Sequence, residues 1–105
     1  VPAVARGSAV DTVTTNHGCT ASTTTEGKSS NVIVNGTGVH RQSDKNTSHT
    51  VPVGDECPSH QTAISVGSTT VFANGFGIAR IGDLYDGGEE VTVLENGSLN
   101  VFAGG

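Results

Sequence analysis

The chain has no Trp and no Met, one Tyr, three Phe, and five Lys plus Arg against ten Asp plus Glu. With a formal net charge of −5, it has too little positive charge for a nucleic-acid surface, because phosphate binding needs clustered basic residues. No apolar run approaches the ~18 residues of a membrane span, and no secretory signal is present, so synthesis in the cytoplasm without a hydrophobic anchor is expected. No stretch keeps a 3.6-residue apolar period, which argues against helices. Only 33% of the 105 residues are hydrophobic, so the core is small and calls for closure, a metal or a partner to supplement it. Disorder is the competing reading of such a composition. Short alternating Val/Ile/Phe runs, each with its own turn signal, argue instead for many short strands.

What is present is an internal repeat. The stretch Ser68 to Asp83 restates Ser29 to Asp44 without a gap, with Val32/Val71, Asn35/Asn74, Arg41/Arg80 and Asp44/Asp83 each 39 positions apart. Each copy reads as a hairpin around Asn-Gly, since both central residues of a type I′ turn need positive φ. A third copy begins at Gly97-Ser98-Leu99-Asn100-Val101-Phe102-Ala103 and is completed by Ala3-Val4-Ala5-Arg6 near the other end. The termini are therefore expected to meet, and three units to close around a pseudo-threefold axis. The expectation is a single all-β domain over residues 1–105, a small pseudo-threefold arrangement of short strands and hairpins.

Between the repeats, Gly7 to Asn16 reads as a polar turn, Thr20 to Lys28 as an extended edge, and Lys45 to Ser65 as a long irregular stretch. Val91 to Leu94 reads as a strand. The acidic cluster of Asp83, Asp86, Glu89, Glu90 and Glu95 lacks the alternate spacing of a calcium loop and reads as a solvated turn.

Potential ligands gather on two of these stretches: His17-Gly18-Cys19, His49, and Cys57-Pro58-Ser59-His60. Cys19 and Cys57 can form one disulfide or hold a metal. Without a secretory signal a reducing compartment is expected, which favours the metal. His17, His49, Cys57 and His60 would fill a tetrahedral zinc site with no open position, hence a structural one, with Cys19 as the alternative sulfur. His40 lies within the first hairpin, where the second has Ala79, and reads as a surface residue or a support to the ligands. Catalysis has little to stand on. Asp55 or Glu56 could be nominated as the base of a zinc hydrolase, but no His-Glu-x-x-His motif and no strained serine turn is present.

Gly-Ser-x-x-Val-x-x-Asn-Gly-x-x-x-Ala-Arg-x-Gly-Asp, written here as Gly67 to Asp83, resembles the PAAR-repeat proteins, which cap the spike of contractile phage tails and type VI secretion systems. Pro2-Ala3-Val4-Ala5-Arg6, Thr15-Asn16-His17-Gly18 and Gly97-Ser98-x-Asn100-Val101-Phe102-Ala103-Gly104 extend the resemblance over the whole chain. It departs from the pattern at Ser43-Asp44, where Gly-Asp is usual, and after Arg6, where Gly7 comes early and Asp11 late. The resemblance implies a cone whose tip holds zinc on three histidines and one cysteine, here His17, His49, His60 and Cys57. It implies a non-enzymatic spike tip that sharpens a trimeric β-helical spike and touches the target outer membrane only in passing. It also implies a place at a virion tail baseplate or the tip of a secretion machine. The three repeats consume the chain, so no toxin or effector extension is expected.

A pseudo-threefold monomer fits the blunt end of a threefold trimer, so one chain per three spike chains is expected. In the strands, Ile33, Phe72 and Phe102 correspond and alternate with Val32, Val71 and Val101. The valines are expected inside and the larger residues on a three-cornered apolar base, with the reverse arrangement as the alternative. A small zinc-binding hydrolase, a binding module, or a secretion tip or adaptor are the other functional readings.

Overall fold

Asn35-Gly36 and Asn74-Gly75 turn with positive φ at both positions, 52° and 82° in the first pair, 55° and 83° in the second, as a type I′ hairpin requires. The computed structural model describes residues 2–15, 19, 22–86 and 92–104. Among these, nine short strands occur: β1 (Thr12–Thr14), β2 (Ser22–Thr24), β3 (Ile33–Val34), β4 (Thr37–Gly38), β5 (His49–Thr50), β6 (Ser59–His60), β7 (Phe72–Ala73), β8 (Phe76–Gly77) and β9 (Val93–Leu94). They form the hairpins β3–β4, β5–β6 and β7–β8, and a three-stranded antiparallel sheet in the order β2-β1-β9. The principal extents are 41 × 23 × 23 Å.

Two of these elements were not expected. Gly7 to Asn16, read as a turn, contains β1, whose single apolar residue Val13 is fully buried between β2 and β9. Three residues are too few to display an alternation, and one partner lies some eighty positions away in the sequence. Lys45 to Ser65, read as irregular, contains β5–β6, in which His49 faces His60 and Thr50 faces Ser59. That ladder has no apolar face to announce it.

The split copy is joined as expected. Ala3 bridges Phe102, the Val4 amide donates to the Val101 carbonyl (2.9 Å), and the Ala103 amide to the Pro2 carbonyl (3.1 Å). Between the copies the backbone closes on itself. The Ala5 amide donates to Ala79 O (2.9 Å), Ala79 to His40 O (2.9 Å), and His40 to Ala5 O (3.0 Å). One step on, Gly7 donates to Gly38 O (3.0 Å), Gln42 to Gly77 O (2.8 Å) and Ile81 to Ala3 O (3.0 Å).

Neighbouring residues beside this ring face opposite ways. Val4, Val39 and Ile78 join Val34, Ala73 and Ala103 in one apolar cluster, with Val32 and Val101 against it. Ala5 and Ala79 join Val13, Ile64, Tyr85 and Leu94 in a second. The ring therefore separates two small cores, neither of which approaches the size of an ordinary domain interior. Close approach substitutes for bulk. A Cβ on Gly38 would stand 2.1 Å from Ser29 O, and one on Gly77 2.3 Å from Ser68 O, so each position admits only glycine without rearrangement.

Each copy's arginine is clamped by its aspartate. Asp44 accepts from the Arg41 amide (2.9 Å), Nε (2.8 Å) and Nη2 (3.0 Å), and Asp83 from the same atoms of Arg80 at 2.8, 3.2 and 3.1 Å. The displaced Asp11 reaches the same arrangement on Arg6, at 2.6, 3.0 and 2.8 Å. Ser8 and Ala9, with φ of 55° and 63°, absorb the longer spacing in a left-handed turn. The outer nitrogen Nη1 of Arg6 and of Arg41 then donates to Asn35 (3.4 Å) and Asn74 (3.0 Å). In the third copy glycine stands where the asparagine would be, and the Gly104 carbonyl takes over from Arg80 Nη1 at 2.9 Å.

Asp83 is 12% exposed and its charge holds three donors, so Asp83→Asn should lower the unfolding free energy by about 2–3 kcal/mol, the scale of hydrogen bonds to a charged group. Urea denaturation with an unchanged m-value would measure it; a shift under half a kcal/mol would show that the clamp adds little.

Candidate functional site

His49 on β5 and His60 on β6 face each other across the hairpin, with their Nε2 atoms 2.8 Å apart and their rings edge to face. The His49 Nδ1–H donates to the Thr47 carbonyl (2.9 Å), which fixes that ring and leaves its Nε2 lone pair turned toward His60. An imidazole so oriented by a backbone carbonyl is the usual preparation of a metal ligand. Two nitrogens on one tetrahedral zinc would sit about 3.3 Å apart, given Zn–N bonds of about 2.0–2.1 Å. The present 2.8 Å suits a hydrogen bond from the His60 Nε2–H into the His49 lone pair. Two of the expected ligands, His49 and His60, are thus brought together, as a hydrogen-bonded pair.

The sulfur half differs from expectation. Cys57, expected as the sulfur ligand, is bonded to Cys19 in a disulfide. A sulfur in that bond carries no thiolate charge, and the thiolate is what binds a metal. Of the two chemistries open to its cysteines the structure shows the disulfide, which takes up Cys19 along with Cys57. The bridge closes a loop across 38 positions, which the chain-entropy relation places at about 4 kcal/mol of stabilisation. His17 lies outside the described residues. Among the described residues no three His, Cys, Asp or Glu side chains are gathered for a metal ion. Asp55 and Glu56, nominated as possible bases, are exposed on the turn between Val53 and Glu56.

His40 corrects the surface reading: it is fully buried. Its Nδ1–H donates to the Gly27 carbonyl (2.6 Å), and its Nε2 accepts from the Tyr85 hydroxyl (2.8 Å). The repeat register puts it where Ala5 and Ala79 point into the second cluster, so the imidazole occupies core space and needs Tyr85 to satisfy it. That register was visible in the sequence; the pairing with Tyr85 was not, because Tyr85 lies outside both hairpins. Burial pushes the His40 pKa down against the opposing pull of the Gly27 carbonyl, Asp44 and Asp11, while Arg41 pushes it the same way as burial. Burial likewise pushes the Tyr85 hydroxyl far up, so it stays protonated and able to donate.

At the hairpins, Ile33, Phe72 and Phe102 are 54%, 56% and 54% exposed. Val34, Ala73 and Ala103, next in each strand, are buried. Val32 and Val101 pack partly against the core as expected, but Val71 does not and is exposed. Leu99 and Phe76 are also exposed. Elsewhere a cavity of about 420 Å³ is lined by Ser65, Val66, Thr69, Arg80, Asp83 and Leu84 among others; its one ion pair is the Arg80–Asp83 clamp.

Because His40 resists protonation only when folded, the unfolded chain takes up the proton first as the pH falls below the ordinary value of 6.5. Its contribution is complete above that pH and is lost progressively below it, so stability should fall between pH 7 and pH 5. In His40→Gln the chain should start less stable at pH 7 and lose less over the same interval. Equal pH slopes for the two proteins in urea titrations would remove His40 as the cause.

No protein-family model matches the chain, and no curated protein matches it either.

Proposed function

We propose that this chain is a non-enzymatic spike tip of the PAAR-repeat kind, which caps a trimeric β-helical spike in a contractile injection machine and sharpens it for piercing an envelope. The observation that carries the reading is the near-equal exposure of Ile33, Phe72 and Phe102, one large apolar residue from each repeat. A water-soluble monomer gains nothing from three such residues held outward, and an exposed apolar group of this kind marks a contact surface. Val71, Phe76 and Leu99, in the same repeats, are exposed as well.

A pseudo-threefold axis is part of this proposal. The closed Ala5–His40–Ala79 ring and the three arginine clamps support it, as do two equal short extents of 23 Å across a long one of 41 Å. On such an axis one chain matches the end of one trimer, with each apolar corner meeting one spike chain. The β5–β6 hairpin would carry a structural zinc on His49 and His60 together with His17 and the Cys57 thiolate, once that cysteine is reduced. Such a filled site supplies no catalytic step; it cross-links β5, β6 and the His17 stretch. In a chain with so small a core, metal binding contributes directly to folding, by about 10 kcal/mol or more in small zinc domains.

Phe72→Asp/Phe102→Asp should abolish capture by a trimeric β-helical spike in co-purification, while the thermal midpoint stays within a few degrees of the parent's. Unfolding of the double variant would instead make the phenylalanines part of the core. Separately, the reduced chain should take up one zinc, and His60→Ala should lose it, with elemental analysis as the readout.

A further inference from the structure

The two full copies of the repeat differ beside their arginine clamps. Through the 39-residue offset, Gly27 and Lys28 of the first copy become Val66 and Gly67 of the second, and Lys45 becomes Leu84. In the first copy the backbone closes against the clamp. A Cβ on Gly27 would stand 2.7 Å from the Asp44 Cβ, and the amides of Glu26 and Gly27 both donate to the Lys45 carbonyl, at 3.0 and 3.1 Å. A valine at that register cannot repeat so close an approach. Here, in the second copy, the cavity of about 420 Å³ opens, with Val66, Gly67, Arg80, Asp83 and Leu84 in its lining.

The first copy also covers its clamp with a side chain. The Cβ and Cδ of Lys28 lie 3.0 and 3.2 Å from where a Cβ on Gly38 would stand, so its stem runs along that strand, and its carbonyl accepts from Arg41 Nη2 at 3.1 Å. Gly67 has no stem to offer. Nor can one be added, since its Cβ would meet the Gly77 carbonyl oxygen at 2.5 Å. We propose that the cavity is a docking site for one cationic side chain with a long apolar stem, a lysine or arginine presented by an extended segment of a partner protein. This goes beyond the spike-tip reading and does not depend on it.

The size and the lips suit such a stem. Ligand pockets run from about 300 to 1,000 Å³, and this one lies near the small end. Val66 and Leu84 are 59% and 45% exposed, and Ile81 beside them is exposed too, where the first copy has Gly27, Lys45 and Gln42. Aliphatic surface held outward there covers the methylenes of a long side chain while its charged tip stays in water. Charge selects the tip. Arg80 is already paired with Asp83, and both lysines of the chain stand in the first copy. From Asp83 to Glu95 the sequence carries five carboxylates and no Lys or Arg, and Asp86 is exposed two residues beyond Leu84. An anionic segment would meet like charge here, a cationic one its complement.

The test titrates the nitrogen-15-labelled full chain with the synthetic peptide acetyl-Ala-Leu-Lys-Leu-Ala-amide, with a second peptide carrying glutamate for lysine as control. Saturable amide shifts are expected at Ser65 to Gly67 and Gly82 to Leu84, and the glutamate peptide should bind about tenfold more weakly or worse. Val66→Gly/Leu84→Lys gives these exposed positions the residues of the first copy. It should weaken binding of the lysine peptide by about tenfold, with the Phe72 and Phe102 amide shifts unchanged as the sign of an intact fold. If the double variant loses that sign, Leu84→Lys alone makes the same comparison. No saturable shift, equal binding of the two peptides, or unchanged binding to the variant each overturns the inference. Shifts that follow protein concentration before any peptide is added overturn it as well, since a second copy of the chain would then cover the surface. None of these results touches the spike-tip reading, whose test lies at Phe72 and Phe102.

Discussion

Three backbone hydrogen bonds, from Ala5 to Ala79, Ala79 to His40 and His40 to Ala5, hold the chain's three repeats to one another. Each repeat alone is a two-residue ladder around a tight turn, and an isolated hairpin of that size is marginal in water at best. Joined in a ring, each copy donates one of these bonds and accepts another. The ring also sets which way the neighbouring side chains point. Val4, Val39 and Ile78 go to one cluster, Ala5, Ala79 and the His40 imidazole to the other. A chain without Trp or Met can fold this way because backbone pairing and charge-assisted clamps carry part of what a larger apolar core would supply.

The clamps and the ring depend on each other. Arg6, Arg41 and Arg80 each present a backbone amide and a side chain to one carboxylate, so the aspartate fixes the turn just beyond the ring. The same guanidinium then reaches across to an asparagine or a carbonyl of another copy. Replacement of asparagine by the Gly104 carbonyl shows that the contact requires an acceptor at that place, not a particular residue. The two-residue excursion at Ser8 and Ala9 shows likewise that the carboxylate's position is kept while the path to it varies.

The repeat hairpins and the β5–β6 hairpin then differ in chemistry. The repeats hold Ile33, Phe72, Phe76 and Phe102 outward, beyond what the small core buries. The β5–β6 ladder has no apolar residue; a histidine pair spans it, and the disulfide ties Cys57, just before β6, to Cys19. Cross-linking is concentrated where hydrophobic burial is least able to hold the chain, as expected for a small domain with too few core residues.

The sequence by itself determined the hairpins, their turn type and the joining of the termini, while it left open whether Ile33, Phe72 and Phe102 or the neighbouring valines face outward, which the structure decided for the larger residues. The first three follow from local turn chemistry and a two-residue alternation read through a fixed offset. The tertiary structure alone decided the rest. Strand β1 is too short to show a pattern, and β5–β6 has no apolar face, so both exist through pairing with distant segments. His40 is buried because Tyr85 and Gly27 happen to reach both its nitrogens, a match between positions that no local spacing encodes. The cysteines were open to two chemistries in the sequence. Only the approach of Cys19 to Cys57 in space chose the disulfide, because a sulfur–sulfur bond depends on distance, and distance between remote residues is a property of the folded chain.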